Sequence, residues 1–327
     1  AHEETSGKNA SAYDAVRLMD RTSREWLRHH AIGATMPNLN EGIIRRFSFL
    51  APSLREQEIV AEVLDSLDEK IDVNRRMNTT FEAMAHAIFK DWFIDFGPTR
   101  AKATDSPPYL ARDVWEAFPK ETGDGGIPVG WRRGQLGDIA LQTGQSVKPE
   151  FVSAETPYIG LEHMPRRSIA LDAWGRAAKV TSGKTAFSGG DLLFGKLRPY
   201  FHKVGIAPVN GICSTDIVVL NSRSPDDRPF VISCISQDEF VAYTDRTAYG
   251  TKMPRTSWSR MEKFGICIPS THVLTAFNRT VSPLIDRIVA NVLETRTLTE
   301  TRDLLLPRLM SGEIRIRDVE QTAVAAA

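Results

Sequence analysis

The sequence predicts a mixed α/β (α+β) protein: one β-rich domain flanked by two long helices that pair as an antiparallel coiled coil. Three observations carry that prediction. The chain repeats itself at an offset of 217 residues, each copy holds a heptad stripe, and short apolar runs alternate with turn residues between the stripes. Gly33, Met36, Pro37, Phe47, Pro52, Ser53, Leu67, Ile71 and Asn74 recur without a gap as Gly250, Met253, Pro254, Phe264, Pro269, Ser270, Leu284, Ile288 and Asn291. Solenoid and propeller repeats run about 20–50 residues, so a period this long means two copies of a domain-plus-helix module.

The first stripe is Val60, Leu64, Leu67, Ile71, Asn74, Asn78, Phe81, Ala85 and Ile88, at alternating spacings of four and three. That spacing keeps one face of a helix on a partner. Ser53 as N-cap with Glu56 forms a capping box at its start, and Gly97 with Pro98 is expected to close it. The second stripe is Phe277, Val281, Leu284, Ile288, Asn291, Thr295, Leu298, Arg302 and Leu305. Pro283 should kink this helix or delay its start, and Gly312 should end it. Asn74 and Asn291 occupy the same slot, where a buried amide fixes register at some cost in stability. The stripe from Val60 to Ile88 would span about 43 Å at roughly 1.5 Å per residue. That is about 13 base pairs of duplex at roughly 3.4 Å each.

From Trp131 to Ile268 the runs at Ile139, Pro157, Asp191, Val204 and Ile217 read as short strands, with helix around Phe230–Tyr243. The segment 98–130, rich in Pro, Gly, Asp and Thr, is expected to be an irregular linker. Residues 1–50 match 218–267, so the first copy lacks roughly its first 86 residues. The predicted divisions are therefore 1–50 (end of a first domain), 51–97 (helix), 98–130 (linker), 131–269 (β-rich domain), 270–313 (helix) and 314–327 (tail).

At 327 residues, 42% hydrophobic and 25% charged, the chain has the composition of a globular protein. No apolar run approaches the roughly 18 residues of a membrane span, and no signal-peptide core opens the sequence, so a cytoplasmic location is expected. Cys213, Cys234 and Cys267 fit neither zinc nor redox spacing and read as half-buried thiols. The net charge of zero argues against indiscriminate nucleic-acid binding, but it averages two regions. Trp131–Ile268 carries 18 Lys/Arg against 13 Asp/Glu, whereas Leu54–Phe96 carries 5 against 10. The first suits phosphates; the second should avoid them.

Little points to catalysis. Ser106-Pro107-Pro108-Tyr109 approaches the Asn/Asp-Pro-Pro-Tyr/Phe turn with which amino-methyltransferases hold a target amine. Serine is a weaker acceptor, however, and no glycine-rich cofactor turn precedes it. The histidines show no metal spacing, and His29 and His30 read as surface residues at a helix end. What remains is a binding surface. Lys196, Arg198, Tyr200 and Lys203 follow one another after a predicted strand, with Gly195 and Pro199 shaping the turn. Basic side chains interleaved with aromatics suit phosphate contacts and base-edge bonds. A second cluster, Gly250 to Arg255, adds Lys252 and Arg255.

These residues resemble the specificity subunits of type I restriction-modification systems. The similarity lies in Thr35-Met-Pro-Asn-Leu-Asn, the helix from Pro52 to Asn78, Lys90-Asp-Trp-Phe-Ile-Asp-Phe, Gly130-Trp131, Gly190 to Phe201 and Ser214-Thr-Asp. The resemblance implies target-recognition domains held apart by two helices and reading a split DNA sequence. It implies that the acidic helix faces dock modification subunits, which carry S-adenosylmethionine and methylate adenine, and that a restriction subunit joins them. It implies no catalysis and no cofactor in this chain. With one recognition domain and part of another, the chain resembles half-length members that pair with a second copy or a complementary fragment. Phosphate contacts are assigned to Arg132, Lys184, Lys203 and Lys252, base-edge contacts to Lys196, Arg198 and Tyr200, and Lys148 and Arg255 are counted as further DNA-binding residues. The alternatives are a stand-alone adenine methyltransferase built on Ser106–Tyr109 and a fragment that occupies modification subunits without reading DNA.

Overall fold

A computed structural model describes residues 21–32, 38–47 and 53–311. Expectations resting on Gly33, Met36, Pro37, Pro52, Gly312, residues 1–20 and the tail 314–327 lie outside those residues. Among the described residues the helices are α1 (Arg21–His30), α2 (Glu41–Ile44), α3 (Leu54–Phe89), α4 (Gly97–Ala103), α5 (Arg112–Ala117), α6 (Arg228–Ile235), α7 (Asp238–Arg246), α8 (Trp258–Met261) and α9 (Thr271–Ser311). The strands are β1 (Arg132–Gln135), β2 (Ala140–Gln142), β3 (Gln145–Val147), β4 (Pro157–Ile159), β5 (Gly175–Arg176) and β6 (Lys184–Phe187). They continue with β7 (Leu192–Gly195), β8 (Val204–Ile206), β9 (Gly211–Cys213), β10 (Ile217–Ser222) and β11 (Gly265–Ile268). The chain divides into two compact units, Ala1–Val73 with Thr295–Ala327, and Asn74–Glu294.

The 217-residue repeat is written into the backbone. Added to the bounds of α1 and α2, the offset gives the starts of α7 and α8; α3 and α9 begin at Leu54 and Thr271. The isolated bridge Ile32–Asn38 recurs as Tyr249–Arg255.

In the first unit α3 opens on the expected capping box. The Ser53 N–H donates to Glu56 Oε2 at 3.0 Å, and the Glu56 N–H donates to Ser53 Oγ at 3.4 Å. Val60, Leu64 and Ile71 are buried, while Leu67 and Leu298 are half-buried. Arg302 of α9 donates to Asp68 of α3 at 2.6 Å. Trp26 of α1 meets Phe47 with ring centroids 5.1 Å apart, and His29 and His30 are exposed at the helix end.

In the second unit the remaining stretches of α3 and α9 pack antiparallel. Asn74 Nδ2 donates to Glu294 Oε2 at 3.0 Å and Asn291 Nδ2 donates to Asn78 Oδ1 at 2.9 Å. The partner number falls by three as the α3 number rises by four, which is the stagger of an antiparallel heptad pair. Asn74 and Asn291 are fully buried between apolar neighbours. Phe277, Val281 and Ile288 belong to one core cluster, with Phe81 and Leu284 packed against it.

Three local expectations need correcting. α9 is continuous through Pro283 from Thr271, neither late nor interrupted. The proline ring lies on the exposed face, while Val281 and Ile285 beside it are buried and hold the helix in place. Gly97-Pro98 does not close α3. The α-helix gives way at Lys90–Ile94 to a π turn that sinks Trp92 and Phe93 into the core. Phe96 then turns left-handed, and Pro98 sits in the first turn of α4. A side chain at Gly97 would collide with the Asp91 carboxylate and the Tyr109 hydroxyl. Finally, 98–130 is not irregular: it holds α4 and α5, and it buries Val114 and Phe118 beside Trp92 and Trp131.

The β-rich part has three sheets, β1-β11, β2-β10-β7-β8 and β3-β6-β9-β4-β5. Pairing is antiparallel except for β4 with β9. The near-continuous apolar runs of β7 and β10 mark strands covered on both faces. Leu192, Phe194, Val218 and Leu220 point into the core shared with the helices, and Leu193, Ile217 and Val219 into a second, smaller core. No helix among the described residues is long and apolar enough to cross a membrane.

Candidate nucleic-acid interface

The two basic clusters that the sequence places some 50 residues apart form one surface. Beyond β7, the Lys196 N–H donates to the Asp216 carbonyl at 2.9 Å, and the Lys196 carbonyl accepts from Thr256 N–H at 3.0 Å. The Arg198 N–H donates to the Pro254 carbonyl at 2.7 Å, and Leu197 bridges to Arg255. Tyr249 and Arg255 exchange two backbone bonds of 2.9 Å across the second loop, whose turn relies on Gly250 at φ 91°. These bonds satisfy backbone groups that a surface loop would otherwise leave to water.

Three left-handed non-glycine residues lie around this surface: Arg167 (φ 56°), Arg198 (φ 51°) and His202 (φ 52°). Such conformations cost on the order of 1 kcal/mol or more each and collect at binding sites. Arg198 and His202 bracket the turn Pro199–Phe201, and the Arg167 N–H donates to the His202 carbonyl at 2.9 Å. Glu82 of α3 secures the adjoining segment. It accepts from Ser168 Oγ at 2.7 Å, Ile169 N–H at 3.0 Å and Ala170 N–H at 3.3 Å. Burial holds its carboxyl above the usual range despite those donors.

The side chains make the surface cationic and aromatic. Tyr200, Tyr249 and Met253 are about half exposed, and Lys252 is exposed. Arg198 lies 5.9 Å from the Phe201 ring centre, its Nε buried without a partner. Arg255 is partly engaged, its Nε 3.3 Å from Asp216 Oδ1. Lys203, expected on a phosphate, instead donates to the Leu161 carbonyl. Burial, and then Arg166, pushes its ammonium pKa down. Lys184 donates to Ser182 Oγ at 2.7 Å and stands 5.8 Å from the Tyr158 ring, with Lys148 exposed just beyond the end of the strand paired to it. Arg132 sits on a different sheet, 3.1 Å from Asp138.

The fold adds residues that the local reading passed over. Arg166 lies 4.1 Å from the Phe201 ring centre, and Arg260 lies 5.6 Å from that of Tyr249. In the sequence the only hint is the Arg166-Arg167 pair; what places Arg166 is the Glu82 clamp, 84 positions earlier.

The chemistry of a methyl transfer has no seat at Ser106–Tyr109. Tyr109 donates to Asp91 at 2.9 Å, its ring lies edge-on to Trp115, and Ser106 shares a 2.9 Å bond with Thr104. Both groups the reaction would need are committed to a surface turn. The cysteines are free; Cys213 and Cys234 are fully buried, which raises their thiols to about 12, and Cys267 is half-buried.

No family model matches the chain. Across 319 residues it is 26% identical to the type I restriction enzyme MjaIX specificity subunit of Methanocaldococcus jannaschii, covering 94% of this chain and 70% of that one. It is 25% identical to the HindI specificity subunit of Haemophilus influenzae (86% and 72% covered) and 24% to that of EcoDI from Escherichia coli (72% and 54%). The crystal structure of a type I restriction-modification S subunit from M. genitalium shares its fold, with a TM-score of 0.51 at 15% identity over 91% of this chain and 72% of that one. With the paired helices, the β-rich domain and relatives of one description along nearly its full length, this chain is a homologue of the specificity subunits of type I restriction-modification systems.

Proposed function

We propose that this chain is the DNA-recognition subunit of a type I restriction-modification complex. It supplies sequence recognition, while modification and restriction subunits that it holds methylate adenine and cut. The observation that carries the reading is the single basic, aromatic surface made by residues 196–203 and 249–256, anchored by backbone bonds and by Glu82 of α3. The names borne by its relatives support it.

Lys196, Arg198 and Tyr200 meet base edges, and Lys148, Lys184 and Lys252 meet phosphates. Arg255 serves both as a phosphate contact and as the tie to Asp216. The acidic face of α3, with α9 beside it, receives the modification subunits, where S-adenosylmethionine is bound. A second copy of the chain, or a complementary fragment, completes the reader.

The test is to delete the chain in its own cells and map methylated adenines genome-wide. Loss of methylation at one sequence, restored by the intact chain, is the expected result. Unchanged methylation, or S-adenosylmethionine binding by the purified chain alone, overturns the reading. Sedimentation of the purified complex counts the copies.

A further inference from the structure

We infer that Phe151 is an apolar wedge that enters the base stack of the bound duplex, at the end of the surface away from the Lys196 and Lys252 loops. The inference rests on the DNA-recognition reading and assigns a residue that neither the basic clusters nor the helices predict. Phe151 is 79% exposed, more than any other large apolar side chain described. It stands on a stiff platform. Pro149 starts the short turn Pro149–Phe151, the Phe151 N–H donates to the Lys148 carbonyl at 3.1 Å, and the Val152 N–H donates to that of Pro149 at 3.1 Å. These bonds fix the backbone that carries the ring, so its point of entry is set before insertion, and insertion must repay the cost of unstacking a base step.

The surroundings point to nucleic acid. Lys148 is exposed at the start of the turn, and Val147 before it pairs with Lys184 across the sheet. Lys184 lies over Tyr158 at 5.8 Å, and the Tyr158 ring meets His163 edge-on at 5.8 Å. Two residues before His163, the Leu161 carbonyl receives Lys203, which leads to Phe201 and Arg166. The surface is thus contiguous from the Arg198 turn to the Phe151 turn. Glu150, exposed beside the ring, disfavours a phosphate there. The two lysines can hold the backbone while the ring, with no donor or acceptor, faces the bases.

The experiment uses the full chain in complex with its modification subunits and duplexes that the wild-type complex enriches from a random-core library. 2-Aminopurine, placed at successive positions, reports unstacking. Phe151→Ala is expected to weaken binding roughly tenfold, the scale of one base–aromatic contact, and to abolish the fluorescence rise. The dependence of log K on log salt should stay as in wild type. Phe151→Trp should keep both signals, and Lys148→Ala should instead reduce the salt slope by about one. Wild-type affinity and fluorescence in Phe151→Ala overturn the wedge alone, as does loss of modification subunits with DNA binding intact. If the wild-type complex enriches no sequence, the recognition reading fails and the wedge fails with it.

Discussion

Arg198 illustrates how a residue's job is set by its backbone. At φ 51° and ψ 66°, alanine there would carry the same strain as arginine but none of the contacts its side chain makes. Asparagine tolerates this region better. Lys196→Gln combined with Arg198→Asn should abolish preference for the recognised duplex over a scrambled one in mobility-shift titrations, because each bidentate base contact is worth about 1–3 kcal/mol of discrimination. Co-purification with modification subunits should be unaffected. The sequence showed Lys196, Arg198, Tyr200 and Lys252 as local clusters because each lies within two residues of a turn glycine or proline. It could not show that they share a surface, which depends on bonds such as Arg198 to Pro254 that span the domain. At Lys203 the charge was legible, but the Leu161 carbonyl to which it donates was not.

At the scale of the element, α3 and α9 were read well because a heptad is a local signal that tertiary contacts reinforce. The polar rungs make their pairing testable. Asn291→Leu leaves Asn78, itself buried, without its donor, and should lower the unfolding free energy by about 1–3 kcal/mol. Adding Asn78→Leu should recover most of that loss, since replacing both partners removes the stranded group. Denaturant titrations of the four proteins check it. The π turn at Lys90–Ile94 escaped the sequence reading because its cause is the aromatic cluster of Trp92, Phe93, Phe118 and Phe277, assembled from distant segments. Pro283 was misjudged for a related reason. A lone proline on an exposed helix face costs one hydrogen bond, and the buried neighbours on either side outweigh it.

At the scale of the whole molecule, stability should carry the signature of two histidines beneath the recognition surface. His86 bonds Ser236 Oγ at 3.0 Å, and His202 bonds the Ser236 carbonyl at 3.0 Å with Asp238 3.3 Å away. Burial lowers both imidazole pKa values; His202 lowers that of His86 further and Asp238 partly offsets it, while at His202 the Ser236 carbonyl and Asp238 offset the burial and Arg167 adds to it. A folded pKa below the unfolded value of about 6.5 means stability is full above that pH and is lost as pH falls through the folded values. The melting temperature should therefore drop below about pH 6.5. His86→Gln with His202→Asn should flatten that drop. Glu82, whose carboxyl is raised, works in the opposite sense, so the comparison is between proteins that both retain it.

The strand pair β1–β11 joins Arg132 to Ile268, so the first strand of the β-rich part finds its partner only when the last has been made. During synthesis at roughly 5–20 residues per second, Arg132 waits on the order of 10 s after leaving the ribosome before Ile268 arrives. α9 follows within three residues of that closure. Whatever chaperones attend this chain must therefore shield an open sheet edge until the nascent polypeptide has nearly reached α9.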